Sequence, residues 1–175
     1  MILITAVGED RPGMAHALAQ SLAQLGCNIE DTTMTRLSGE FAMILVVSPP
    51  AEIGAESLSD QLASLQKTHG LFLNCKSFEA PRAMQSAAHS RWVISVYGPE
   101  KSGLLARITG VLAGCGVNIT DVQTRVASGG ALYVMVFETE VPATLDTEVL
   151  RETLADAARE IGVDVSLHPL EEEVL

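Results

Sequence analysis

The feature that most constrains this chain is an internal repeat. When the sequence is shifted by 90 residues, segment 7–47 aligns with segment 97–137 without a gap, and 11 of the 41 aligned positions are identical. Later parts match at a shift of 92, as Gly70 does with Gly162. A repeat of this length indicates a duplicated structural unit. We therefore predict a first module at 1–78, a linker at 79–90, a second module at 91–170 and an acidic tail at 171–175.

The first copy alternates between strand and helix patterns. The apolar run Ile2–Val7 is cut off by a glycine and is typical of a buried strand. Helical spacing follows at Met14, Leu18, Leu22 and Leu25. Next, Asn28–Leu37 and Glu40–Ser48 have the pattern of a hairpin around Ser38-Gly39. A second helix and a final strand, 71–77, complete the module.

The second copy repeats this order, so both copies have the same predicted fold. Its first helix is indicated by Leu104, Ile108, Val111 and Cys115, and its hairpin turn by Ser128-Gly129-Gly130. Strand–helix–strand–strand–helix–strand is the order of the split β-α-β sandwich, in which both helices cover one face of an antiparallel sheet. The sequence thus predicts an α+β protein of two tandem ferredoxin-like (βαββαβ) modules.

The sheet face away from the helices also contains apolar residues. In the first strand, Leu3, Thr5 and Val7 alternate with Ile2 and Ile4, and both sets are largely apolar. A sheet that is apolar on both faces is normally covered on both. We expect the sister module or a second chain to cover this face, and we expect a homodimer.

Charge and hydropathy exclude two classes of partner. The net charge is −11, from 22 acidic and 11 basic residues without a basic cluster, and this argues against direct nucleic-acid binding. The apolar run Ala42–Val47, like every other apolar run of the sequence, is far too short to span a membrane. The N-terminus lacks the basic region of a signal peptide. We therefore expect a soluble, cytoplasmic protein.

The polar residues do not form a recognisable catalytic or metal-binding pattern. Cys27, Cys75 and Cys115 are isolated and lack CxxC spacing, so we expect reduced thiols and no metal or other cofactor. The histidines do not recur with a serine, cysteine or aspartate partner in both copies. The sequence predicts that the protein is not an enzyme.

The densest signal shared by the two copies is the first strand–helix turn together with the end of the first helix. The turn is Asp10-Arg11-Pro12-Gly13 in copy one and Glu100-Lys101-Ser102-Gly103 in copy two, and each helix is followed by Asn-Ile, at Asn28 and Asn118. A helix N-terminus favours an anion, and a nearby carboxylate favours an ammonium group. Together these groups are suited to a zwitterion. The alternative is purely structural, with Asp10 and Ser102 as helix caps and the asparagines as turn formers.

These motifs resemble those of the ACT domain, a regulatory module that binds amino acids. The resemblance covers nearly the whole chain as two copies, and among stand-alone tandem proteins it is strongest to the glycine cleavage system transcriptional repressor family. It implies an amino-acid sensor, with glycine favoured, that modulates transcription by contacting a transcription activator. The alternatives are a ligand-free ACT scaffold or a regulatory subunit of a metabolic enzyme.

The resemblance also implies which residues contact the ligand. Ser102 replaces the proline usual in the motif, so we expect copy one to be the stronger site. The implied ligand-binding residues are Asp10, Gly13, Met14, Asn28 and Ile29 in copy one, and Glu100, Gly103, Leu104, Asn118 and Ile119 in copy two.

Overall fold

The computed structural model describes residues 1–79, 89–127 and 132–170. The chain divides into two compact units, Met1–Arg82 and Ala83–Leu175, called module one and module two below. Module one contains β1 (Ile2–Glu9), α1 (Met14–Gln24), β2 (Asn28–Leu37), β3 (Glu40–Ser48), α2 (Ala55–His69) and β4 (Phe72–Ser77). Module two contains β5 (His89–Gly98), α3 (Leu104–Gly114), β6 (Asn118–Ala127), β7 (Leu132–Pro142), α4 (Thr147–Ile161) and β8 (Asp164–Pro169).

Each module is a four-stranded antiparallel sheet with two helices on one face. The strand orders are β2-β3-β1-β4 and β6-β7-β5-β8. In module one, Ile4 and Leu45 from the sheet and Leu18 and Leu62 from the helices are completely buried in one cluster. Burying each such side chain contributes roughly 1.5–3 kcal/mol. The predicted α+β fold of two tandem ferredoxin-like modules is confirmed.

The helix α3 has a different buried stripe from the predicted one. Leu104, Ile108 and Leu112 are buried, whereas Val111 and Cys115 only border the core. Leu112 is the residue that the repeat aligns with Leu22 of α1, which is also buried. The repeat was therefore a better guide to the core here than helical spacing within one copy.

The glycine after the first apolar run does not end the strand. Strand β1 continues through Gly8 to Glu9. A Cβ atom at Gly8 would lie 2.9 Å from the carbonyl oxygen of Gly70, and one at Gly98 would lie 2.5 Å from Cγ1 of Val163. Both distances are too short for a methyl group, so close approach of the loop before the last strand explains why both copies have glycine here.

The shift between the two copies changes from 90 to 92 residues at the hairpin turn. In module one, Leu37 pairs with Glu40 across two turn residues, whereas in module two Ala127 pairs with Leu132 across four. The gapless alignment to position 47 is therefore wrong beyond the turn, where the shift is already 92. Met43 corresponds to Met135, and the predicted turn Ser128-Gly129-Gly130 lies outside the described residues.

The module boundaries remain predictions. Strand β5 begins at His89, inside the segment 79–90 that was predicted to be a linker. Residues 80–88 and the predicted acidic tail, 171–175, lie outside the described part of the chain.

Candidate functional site

The strand–helix turn has nearly the same backbone geometry in both modules. Helix α1 follows Gly13, with φ +96°, and helix α3 follows Gly103, with φ +82°. A residue with a Cβ atom is strained at such angles, which explains the glycines. No side chain caps either helix. The interpretation of Asp10 and Ser102 as helix caps is therefore wrong.

The start of α3 leaves backbone amides without a helical acceptor. The first hydrogen bond of the helix runs from the Arg107 amide to the Gly103 oxygen at 2.9 Å. The amides of Leu105 and Ala106 precede it and have no carbonyl within the helix to bond. Such amides, together with the positive end of the helix dipole, favour a carboxylate. Module one has the same arrangement before Ala17.

The acidic residue of the turn has different partners in the two modules. In module one, Arg36 donates to the Asp10 carboxylate at 3.3 Å, and the Asp10 amide donates to the Gly39 oxygen at 2.8 Å. In module two, Glu100 forms no ion pair with any residue that the structure describes. Its carboxylate is therefore more available to an ammonium group than that of Asp10.

The basic residue of the second turn contacts the end of α4. Lys101 Nζ donates to the carbonyl oxygen of Ile161 at 2.5 Å, at the C-terminus of α4. A cation at this end of a helix is stabilised by the helix dipole. In module one the corresponding Arg11 pairs with Glu9 instead. The two turns thus share a backbone but differ in their side-chain contacts.

A cavity of about 840 Å³ opens beside the second turn. Its described lining is Pro99, Glu100, Lys101, Ser102, Gly103, Leu104, Leu105, Ala106 and Tyr133. Tyr133 is not among the predicted site residues, because the gapless alignment places it opposite Met43. Its structural counterpart is Phe41, which is buried, whereas Tyr133 is half-buried and adds a hydroxyl group. The sequence signal that was available is an aromatic residue at the second position of the strand that follows each hairpin turn.

The two asparagines lie far from the turns of their own modules. The end of β1 pairs with Glu40, but Asn28 pairs with Ser48 at the opposite end of β3. Helix α1 separates the two groups by about 15 Å, at 1.5 Å per residue. The turn and the asparagine therefore do not lie side by side within a module. The same holds for Asn118, which pairs with Glu140.

Each asparagine also has a carboxylate partner. Asn28 Nδ2 donates to Glu30 at 3.0 Å, and Asn118 Nδ2 donates to Glu140 at 3.1 Å. Hydrogen bonds from Ser48 and then Asn28 lower the pKa of Glu30 below its ordinary value. Among the remaining predicted ligand contacts, Met14 and Leu104 are buried in the cores of modules one and two. Ile29 and Ile119 are partly buried and pack against the same two cores. As ligand contacts, all ten residues remain predictions.

The described residues contain neither a cluster of side chains suited to bind a metal ion nor a membrane-spanning helix. No group of three or more His, Cys, Asp or Glu residues is arranged to hold a metal ion in the described ranges. No helix in these ranges is long and apolar enough to cross a membrane. Cys27 and Cys75 are free, and burial raises the pKa of both thiols. Raised pKa values favour the protonated, less nucleophilic form.

Both modules match one known domain family. The model of the ACT domain matches residues 1–76 and 90–168. This chain belongs to the ACT domain family. The glycine cleavage system transcriptional repressor of Escherichia coli K12 is 40% identical to it over 47 residues, 27% of this chain and 25% of the repressor. That alignment therefore spans only a quarter of the relative.

Two solved structures resemble the chain over nearly its full length. One is a protein described only as unknown from Galdieria sulphuraria, with a TM-score of 0.76, 26% identity, and coverage of 97% of this chain and 98% of that one. The other is a candidate glycine cleavage system transcriptional repressor, with a TM-score of 0.71, 23% identity, and coverage of 98% and 97%. The second likeness is one of fold.

Proposed function

We propose that this ACT-domain protein binds a small amino acid at the strand–helix turn and uses it to regulate a partner protein. The observation that carries the proposal is the free end of α3 beside the cavity. The ligand carboxylate accepts hydrogen bonds from the Leu105 and Ala106 amides, and its ammonium group meets Glu100. Both charges of a zwitterion are then matched by groups of one module.

We propose that module two is the stronger site, although its Ser102 led to the opposite expectation. The reason is the state of the acidic residue. Asp10 already has Arg36 as a partner, so a ligand at the first turn must compete with that ion pair. Glu100 has no such competitor among the described residues. Tyr133 lines the same cavity, and in this proposal its hydroxyl group is a further donor for the ligand.

Asn28 and Asn118 contribute to the same ligand only if a module other than their own supplies the turn. An amino acid is much shorter than the length of α1, so it cannot reach both groups within one module. Asn118→Ala therefore tests whether the site uses more than the turn.

The regulatory part of the proposal rests on the resemblance to the glycine cleavage system transcriptional repressor. Glycine is accordingly the favoured ligand, and a transcription activator is the favoured partner. The charge of −11 supports contact with a protein rather than with DNA, because phosphate groups repel an acidic surface.

Calorimetric titration with glycine, serine and alanine tests the site. We expect at least one to bind at millimolar concentration or below, and Glu100→Gln to weaken it about ten- to a hundredfold, as loss of a hydrogen bond to a charged group costs about 1.5–3 kcal/mol. Glu152→Gln, an exposed change on α4, is the matched control and should bind like the parent. If none of the three amino acids binds, the ligand-free scaffold replaces the sensor.

A further inference from the structure

The sheet face of module one that is not covered by helices is apolar and exposed. Phe72 is 70% exposed, Ile44 is 44% exposed and Val7 is 42% exposed, and strand pairing places all three on this face. We propose that it is an interface with the same face of a second copy of the chain. The two copies are related by a twofold axis that runs parallel to the strands, between β3 and β1. This interface is independent of amino-acid binding.

Such an axis places each strand over a different strand of the second copy. The order β2-β3-β1-β4 then stacks on β4-β1-β3-β2 of the second copy. A row is here the four residues, one from each strand, that pair across the sheet. Within a row, the residue of β2 meets that of β4 of the second copy, and the residue of β3 meets that of β1. Aligned sheets in sandwiches pack in this way, with about 30° between their strands.

The first row carries opposite charges at its two ends. Strand pairing aligns Asp31, Val46, Leu3 and Lys76 across the sheet. The axis places Asp31 over Lys76 of the second copy and Lys76 over its Asp31, with Leu3 over Val46 between them. Neither charge forms an ion pair with another described residue. Because the strands of the two sheets cross at an angle, the corners of the sheets are displaced from one another. The long side chain of Lys76 spans this displacement.

The other two rows pair large side chains with small ones. One row is Thr35, Ala42, Val7 and Phe72, so Phe72 lies over Thr35 and Val7 over Ala42. The middle row, Thr33, Ile44, Thr5 and Asn74, places Ile44 over Thr5. A shallow depression of about 90 Å³, bordered by Asp31, Thr33, Ile44 and Val46, lies on the same face. This alternation of sizes allows two copies to interdigitate.

The equivalent face of module two is less suited to this role. By strand register, Glu138 takes the place of Val46, and Asp164 takes the place of Phe72. Glu138 is paired with Arg91 at 3.4 Å, and burying such an ion pair in an interface costs free energy because both charges lose their contact with water. Module one retains the apolar version, and its three rows carry no net charge although the chain is strongly acidic.

The size of the face predicts a weak dimer. Three rows on four strands cover on the order of 400 Å² per copy, from strand spacings of about 4.8 Å and a rise of about 3.3 Å per residue. Stable interfaces bury about 1,200–2,000 Å² in total, against about 800 Å² in total here, so we expect weak association at micromolar or higher concentrations. Glu9 and Glu40 lie in the next row and add rim repulsion, although Glu9 is paired with Arg11.

Sedimentation equilibrium from about 1 to 500 µM tests the proposal. The parent should change from monomer to dimer across this range. Phe72→Asp, which introduces the residue of module two, should weaken association at least tenfold. The matched control Val149→Asp adds the same charge at an exposed apolar residue in the first turn of α4 and should associate like the parent. A parent that stays monomeric, or a Phe72→Asp protein that still associates normally, overturns the interface.

Charge reversal tests the twofold axis itself. Asp31→Lys places two lysines together at both corners, and Lys76→Asp places two aspartates there, so each should weaken the dimer several-fold. The double variant restores opposite charges and should associate like the parent. If the double variant is no tighter than the two single variants, the proposed pairing is wrong. Circular dichroism of all variants confirms that they are folded.

Discussion

The close approach at Gly98 allows a quantitative test of the fold of module two. In Gly98→Ala, the added methyl group would lie 2.5 Å from Cγ1, 2.9 Å from Cβ and 3.2 Å from Cα of Val163, where about 3.4 Å or more is ordinary. Val163 is nearly buried, so relief requires β5 and the loop before β8 to move apart. Such overpacking costs about 1–3 kcal/mol. Replacing glycine in a strand offsets about 0.5–1 kcal/mol of this.

The net loss in the free energy of unfolding is therefore about 0–2.5 kcal/mol, with a central value of about 1.2 kcal/mol. For a module of this size, the central value corresponds to a fall of roughly 5–10 °C in Tm. Trp92 is the only tryptophan of the chain and packs against the core of module two, so its fluorescence follows the unfolding of that module. Urea and thermal unfolding should both move to lower values.

A second glycine of the same module gives the matched control. Gly110 lies within α3, and a Cβ atom there would meet nothing within 4 Å. Gly110→Ala should therefore stabilise the module by about 0.5–1 kcal/mol, the difference in helix propensity. The two substitutions are chemically identical and should have opposite signs. If Gly98→Ala stabilises module two as Gly110→Ala does, the close approach to Val163 does not exist in solution.

Three further outcomes are expected. Glu100→Gln should weaken amino-acid binding more than Asp10→Asn does, by calorimetry, because Asp10 is already paired; equal losses would remove the preference for module two. The purified protein should not shift duplex DNA in a gel, and a salt-sensitive shift would overturn the proposed protein-mediated regulation. Asn28→Ala should raise the pKa of Glu30, measured by NMR titration. A carboxyl pKa that folding lowers stabilises the folded state while the group is ionised, and this small stabilisation is lost as the pH falls through that pKa. An unchanged pKa would exclude the contact.

Local signals were sufficient to predict most of the fold. The strands Asn28–Leu37 and Glu40–Ser48 begin and end at the predicted residues, because alternation and the Ser38-Gly39 turn are both short-range features. Strand β1 was predicted too short because a glycine usually marks a strand end. Gly8 instead reflects contact with Gly70, a residue distant in sequence, and no local pattern shows such a contact.

The candidate site was harder to predict than the fold. The repeat identified the glycine turns and the asparagines, but not the distance between them, because a shared motif says nothing about which end of a sheet each part occupies. The two extra hairpin residues also hid the match between Tyr133 and Phe41. Identities before the hairpin turn supported the gapless alignment, although strand register shows a shift of 92 residues beyond the turn.

The different anchors of the two turns have a consequence for signalling. The first turn is attached to its hairpin, through Asp10 with Arg36 and with Gly39, and the second is attached to the end of α4, through Lys101 with Ile161. A molecule that displaces the first turn would therefore strain the hairpin, and one that displaces the second would pull on a helix. Under the proposed function, the two turns would transmit ligand binding to different parts of the fold, so a single effector would produce two distinguishable responses.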